Sequence, residues 1–234
     1  MGKIKENIEA IKSKVDEISI GAGGNKGDVL LVAVSKTRTV EEINEAILAG
    51  ITDIGENKVQ EIMDKFHDVR PVNWHMIGHL QTNKVKYIID KVSMIHSVDT
   101  LKLAEEIDKR AFQYGKTMDI LVQVNAANEE SKFGITKEDT SNLINDIINN
   151  CKNIKVRGLM CIAPFADNPE EVRIYFSQVK SIYDYYTELR HERLDFKYLS
   201  MGMSHDYEVA ISEGSNLIRI GTAIFGERNY NNQI

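Results

Sequence analysis

A lysine closes the most apolar run near the start of this chain. Val29 to Lys36 reads V-L-L-V-A-V-S-K, mostly β-branched residues and leucine, as in a strand covered on both faces of a parallel sheet. Ligands of α/β folds bind at the carboxyl ends of such strands. Lys36 is therefore either a snorkelling surface residue or a nucleophilic amine. A free lysine has a pKa of about 10.4 and is almost wholly protonated at neutral pH. Burial lowers that value, and a neutral amine forms an imine with an aldehyde.

Two later segments offer a complement to that amine. S-M-G-M-S (200–204) and R-I-G-T (219–222) each finish an apolar run. Gly202 and Gly221 allow close backbone approach, Ser200 and Thr222 bring hydroxyls, and the helix starts that follow bring free N–H groups suited to an anion. Barrels commonly hold phosphate with the loops after the seventh and eighth strands. One lysine, one phosphate cradle and a slot between them suit pyridoxal phosphate, and equally a phosphorylated sugar aldehyde in an aldolase-like site. Residue chemistry alone leaves both open.

The elements that would carry these residues alternate. Residues 3–19 set Ile4, Ile8, Ile11, Val15 and Ile18 on one helical stripe, and Gly21–Gly27 breaks it as a flexible connection. After the first strand, Thr39-Val40-Glu41-Glu42 gives a capped start to a helix ending at Gly50. Further apolar segments fall at 52–55, 74–78, 94–98, 119–125, 156–162, 196–200 and 217–221, with the clearest helical patterns at 101–114, 137–151 and 170–189. That predicts eight strands, each trailed by a helix, the last of them short. The expected fold is a single α/β (β/α)8 TIM barrel with an extra N-terminal helix: 1–27 helix and connection, 28–228 barrel, 229–234 tail. A doubly wound sheet is the alternative. The polar ends of the strands would then converge on one mouth. Among them, Asn57 reads as a helix cap or a ligand contact, His79 as a structural or pocket histidine, and Asp99 as the cap of the next helix.

Bulk properties narrow the function classes. The 234 residues approach the roughly 250 of such barrels. A net charge of −6 argues against nucleic-acid or anionic-membrane partners, so an anionic ligand needs local donors. Cys151 and Cys161 lack metal-ligand spacing and read as reduced, buried thiols; no metal site is expected. The start M-G-K-I-K-E-N lacks the apolar core of a signal peptide, and Glu6 stands where a myristoylation motif wants Ser or Thr. A soluble cytoplasmic protein is expected.

Longer motifs add a resemblance. A-V-S-K-T (33–37), G-E-N-K-V-Q-E (55–61), W-H-M-I-G-H-L-Q-T-N-K (74–84), H-S-V-D (96–99), Q-V-N (123–125), E-S-K-F-G (130–134), R-G-L-M (157–160), S-M-G-M-S-H-D (200–206) and I-R-I-G-T-A-I-F-G (218–226) occur in this order. In these segments the chain resembles the pyridoxal phosphate homeostasis protein family, whose fold is similar to the barrel domain of alanine racemase, pyridoxal phosphate fold type III. The resemblance implies pyridoxal 5'-phosphate as cofactor, held as a Schiff base on Lys36. It implies that Ser200, Gly221 and Thr222, with backbone from Met201 and Gly202, hold the phosphate. Arg219 would face the pyridine nitrogen, Asn57 would lie beside the ring, and His79 would line the pocket.

The same resemblance bears on catalysis. A guanidinium only donates, so it would keep the pyridine nitrogen unprotonated and weaken the ring as an electron sink. The tyrosine base that alanine racemase brings from a further domain has no counterpart expected here, and Cys161-Ile162 stands where that enzyme has a histidine. No catalytic residue is therefore assigned. The expectation is a carrier that sequesters pyridoxal phosphate, with apo-enzymes as candidate recipients and a monomeric state; an amino-acid racemase-like enzyme is the alternative.

Overall fold

The computed structural model describes residues 2–129 and 132–227; the expected tail, 229–234, and the expected barrel end at 228 lie outside them. The chain opens with α1 (Lys3–Gly21), which buries Ile4, Ile8, Ile11 and Val15 as the stripe requires, with Ile18 half-buried. Then come β1 (Leu30–Val34), α2 (Val40–Leu48), β2 (Asp53–Glu56), α3 (Val59–Lys65), β3 (Asn73–Met76) and β4 (Met94–Val98). The second half runs α4 (Leu101–Gln113), β5 (Met118–Val124), α5 (Lys137–Asn150), β6 (Ile154–Cys161), α6 (Arg173–Thr187), β7 (Leu194–Ser200), α7 (Tyr207–Ser212), β8 (Leu217–Ile220) and α8 (Thr222–Phe225).

Each strand pairs in parallel with its sequence neighbours, and β1 also pairs with β8, Val32 opposite Arg219, so the sheet closes into a barrel. Closure rules out the doubly wound alternative. Helix α1 packs against α2, α7 and α8, the helices after β1, β7 and β8, and so braces the seam where the two ends of the sheet meet.

The main core lies between sheet and helices. Leu31 and Ala33 of β1 belong to it, and strand alternation turns Val32 and Val34 the other way, into the barrel. Inside, Met94, Leu121 and Met160 make a small apolar cluster with Tyr198 against it. The rest of the interior is unusually polar for a barrel normally filled by branched aliphatics: Asp53, His75, His96, Ser200 and Arg219 are all buried.

Three local expectations need correction. No α-helix follows β3; its connection holds a 3-10 turn, Thr82–Tyr87, that leads into the buried Ile88, Ile89 and Val92. The helix expected at 170–189 begins at Arg173, after a 3-10 turn in which Asn168 caps and Pro169 fixes the entry. Helix α4 is capped by Thr100, whose side chain accepts from Leu103 N–H, while Asp99 accepts from Gly134 N–H. The Thr39–Glu42 capping box is present as expected.

Candidate functional site

Lys36 follows β1, and both of its neighbours are clamped from behind the sheet. Ser35 Oγ donates to Glu56 Oε1 at 2.8 Å, and Lys65 Nζ donates to Ser35 O at 3.2 Å and Glu56 Oε1 at 3.0 Å. Thr37 N–H donates to Glu61 Oε2 at 2.6 Å, and Lys65 reaches the same oxygen at 2.8 Å. Burial pushes the Glu56 carboxyl above its usual range, against the pull of Lys65. Thr37 has φ of 63°, the left-handed region that a β-branched residue disfavours. The turn is thus held in a costly conformation, and Lys36, half-buried, is directed to the wall of a cavity of about 200 Å³.

Arg38, Ser204, Arg219, Gly221 and Thr222 line the same cavity, with Val34, Met203 and His205. Ser204 Oγ accepts from Gly221 N–H at 3.3 Å and Ala223 N–H at 3.4 Å, at the start of α8. Arg38 donates to Phe225 O at 3.2 Å and Gly226 O at 2.5 Å, at its end. Both termini of this short helix are therefore tied to cavity residues.

Arg219 Nη1 donates to Ser200 O at 2.8 Å and Ser200 Oγ at 2.5 Å, and Nη2 donates to Cys161 O at 2.8 Å. Burial pulls the Arg219 pKa down to about 10, which still leaves it protonated at neutral pH. Those bonds use three of the five guanidinium N–H groups. Among the described residues no partner takes Nε–H or the second Nη2–H. Burial pushes the Cys161 thiol up to about 11, so it is no nucleophile at neutral pH.

Of the residues named from sequence, Lys36, Arg219, Gly221 and Thr222 are brought to one cavity. Ser200, Met201 and Gly202 lie behind its wall, buried. Gly202 has φ of +88°, and a Cβ there would come within 2.7 Å of the Ala210 Cβ, so glycine serves the packing of α7. Asn57 and His79 line a neighbouring opening of about 530 Å³ with Lys84 and Tyr87. His79 stacks on Phe133 at 3.8 Å between ring centres. Glu130 and Ser131 of the E-S-K-F-G motif lie outside the described residues. Sequence reading passed over Arg38 and Ser204, although Ser204 closes the S-M-G-M-S segment. A serine past the strand end reaches the mouth, whereas one inside the strand is committed to the interior.

Fold and site together define a barrel that presents an amine and a guanidinium to one carboxyl-face cavity, and residues 2–229 match the family model described as alanine racemase, N-terminal domain. The pyridoxal phosphate homeostasis protein of Aquifex aeolicus is 42% identical over 228 residues, 96% of this chain and 98% of that one. PipY of Synechococcus elongatus, solved with PLP bound, superposes with a TM-score of 0.81 at 31% identity, covering 95% of this chain and 100% of that one. Alanine racemase of Clostridium difficile shares the fold, with a TM-score of 0.70 at 14% identity over 98% of this chain and 60% of its own. The chain belongs to the pyridoxal phosphate homeostasis protein family.

Proposed function

We propose that this chain binds pyridoxal 5'-phosphate in the cavity of Lys36 and Arg219 and serves pyridoxal phosphate homeostasis as a carrier without enzymatic turnover. The carrying observation is that a clamped lysine and a buried arginine share one small cavity with Ser204, Gly221 and Thr222. That donor set fits the group: an amine for an aldehyde, hydroxyls and helix-terminal N–H groups for a phosphate, and a donor-only cation for a ring nitrogen. PipY, similar over 95% of this chain, has PLP bound.

When bound, the cofactor supplies an electrophilic aldehyde carbon and an electron-withdrawing ring. Lys36 Nζ is the amine that links to that carbon, and the Glu56–Lys65–Glu61 clamp fixes the backbone from which it projects. Ser204 and Thr222, with the close backbone approach at Gly221, serve the phosphate, while the Gly221 and Ala223 N–H groups hold the Ser204 oxygen in place. Arg219 donates one of its uncommitted N–H groups to the ring nitrogen and withholds a proton from it, which lowers the ring's power to stabilise a carbanion. That choice of partner disfavours decarboxylation and transamination, and racemisation would need a further base on the opposite face of the substrate. Among the described residues no helix is long and apolar enough to cross a membrane; a cytoplasmic monomer that hands its cargo to apo-enzymes is the reading that fits.

Titrating purified protein with pyridoxal phosphate tests this. Saturation at one equivalent with a yellow visible band is expected for the wild type, and loss of that band in Lys36→Ala. An unchanged band in Lys36→Ala removes the proposal.

A further inference from the structure

A row of hydrogen-bonded polar groups climbs the inside of the barrel from the first residue of β2 to β8. Asp53 Oδ1 lies 2.9 Å from His75 Nε2, His75 Nδ1 lies 2.9 Å from His96 Nε2, and His96 Nδ1 lies 3.3 Å from Ser200 Oγ. Ser200 Oγ in turn accepts from Arg219 Nη1 at 2.5 Å. At the far end Asp53 also accepts from Thr52 Oγ1 at 2.6 Å and Asn73 Nδ2 at 3.1 Å. The two imidazoles and the carboxylate bond one another in series, and no group of described His, Cys, Asp or Glu residues is arranged to hold a metal ion.

Proton accounting gives the row a single direction. Ser200 is fully buried and its oxygen already accepts from a guanidinium, so its own proton needs an acceptor, and His96 Nδ1 is the one in reach. With Nδ1 accepting, the proton of neutral His96 sits on Nε2 and goes to His75 Nδ1. That leaves His75 with its proton on Nε2, pointing at Asp53. Every bond donates away from Arg219 and toward the carboxylate. The opposite polarity leaves the Ser200 proton with no acceptor in a buried site.

We propose that Asp53, His75 and His96 are positioning residues for Arg219: their one-way chain fixes both imidazoles as Nε2–H tautomers and, through Ser200, locks the guanidinium in the pose it holds at the cavity. Three elements that carry no cavity residue, β2, β3 and β4, thereby set the orientation of a residue on β8. The charges facing this row support the polarity. Burial, with the Arg219 charge adding to it, keeps His96 well below the usual histidine range. Burial raises Asp53, but bonds from His75, Thr52 and Asn73 outweigh it and hold the carboxylate ionised. Asp206 also faces Arg219 and favours its charge. The tautomers and the lock need no cofactor; that the locked group serves pyridoxal phosphate rests on the function proposed above.

Nitrogen NMR on cofactor-free, 15N-labelled protein tests the lock separately from that function. The expected spectrum shows His75 and His96 as Nε2–H tautomers, His96 staying neutral from about pH 7.5 to 5.5, where free histidines titrate. His96→Leu cuts the chain, and exchange of the Arg219 Nη protons by guanidinium rotation should accelerate about tenfold or more, as loss of a buried hydrogen-bonded support implies. His96→Gln, which accepts with Oε1 and donates with Nε2, should restore the slow rotation. A proton on Nδ1 of either imidazole overturns the proposal, as does unchanged Arg219 rotation in His96→Leu. Should His96→Leu fail to fold, the wild-type tautomers and the rotation in His96→Gln still decide.

Discussion

Arg219 Nη1 sits 2.5 Å from Ser200 Oγ, so the hydroxyl that sequence offers to a phosphate is already committed to the barrel interior. Ser204, on the loop beyond β7, holds its oxygen against the N–H groups that start α8. The two serines should therefore fail differently. Ser204→Ala is expected to weaken pyridoxal phosphate binding by about ten- to a hundredfold, the worth of a hydrogen bond to a charged group, with little change in stability. Ser200→Ala should cost about 1–3 kcal/mol of stability by leaving buried partners unsatisfied. Equilibrium dialysis and urea unfolding of both variants check the contrast.

Arg219→Gln removes the buried cation and leaves the carbonyls of Ser200 and Cys161 short of donors. A loss of about 2–4 kcal/mol is expected from two under-satisfied buried acceptors, measured by denaturant midpoint. In the variant that folds, the visible spectrum of bound cofactor should shift, because the ring nitrogen has lost its donor-only partner.

Thr37 occupies left-handed backbone at φ of 63°. Thr37→Gly should stabilise the protein by about 1 kcal/mol, since glycine carries no Cβ penalty there. Calorimetry reads the expected rise in melting temperature. Cofactor retention should fall at the same time, because the turn beside Lys36 gains freedom.

Stability should decline as pH falls below about 6.5, and His96 is the cause. Its folded pKa is depressed, so below the unfolded value the unfolded chain binds a proton that the folded chain refuses. Stability then drops at up to about 1.4 kcal/mol per pH unit for that one proton. Asp53, also depressed, adds its loss only as pH falls below the ordinary carboxylate value of about 3.9. Glu56 runs the other way: its raised pKa favours the folded state in acid, and that share fades as pH rises through the folded value. Unfolding free energies measured from pH 7.5 to 5 should flatten by about one proton in His96→Gln.

Much of this was legible in residue order. The run ending at Lys36, the stripe of α1, the Thr39–Glu42 box and the two glycine-bearing loops followed from periodicity and local hydrogen bonding, which the barrel leaves intact. Asp53, His75 and His96 were not legible as a set: each lies in a different strand, pairing of β2, β3 and β4 sets them side by side, and closure of the sheet brings Ser200 of β7 across to His96. Asn57 and His79 were named from their place after strand ends, and the structure sets them around a neighbouring opening. Both follow strand ends as Lys36 does, but Gly78 lets the backbone of Asn57 approach closely, where a Cβ would meet Asn57 O at 2.4 Å, and the pair turns to the neighbouring opening.

Borohydride reduction of the protein with one equivalent of pyridoxal phosphate, followed by peptide mass spectrometry, tests the central claim most directly. A single reduced adduct on the peptide containing Lys36 is the expected result. Adducts spread over surface lysines, with the Lys36 peptide unmodified, would contradict it.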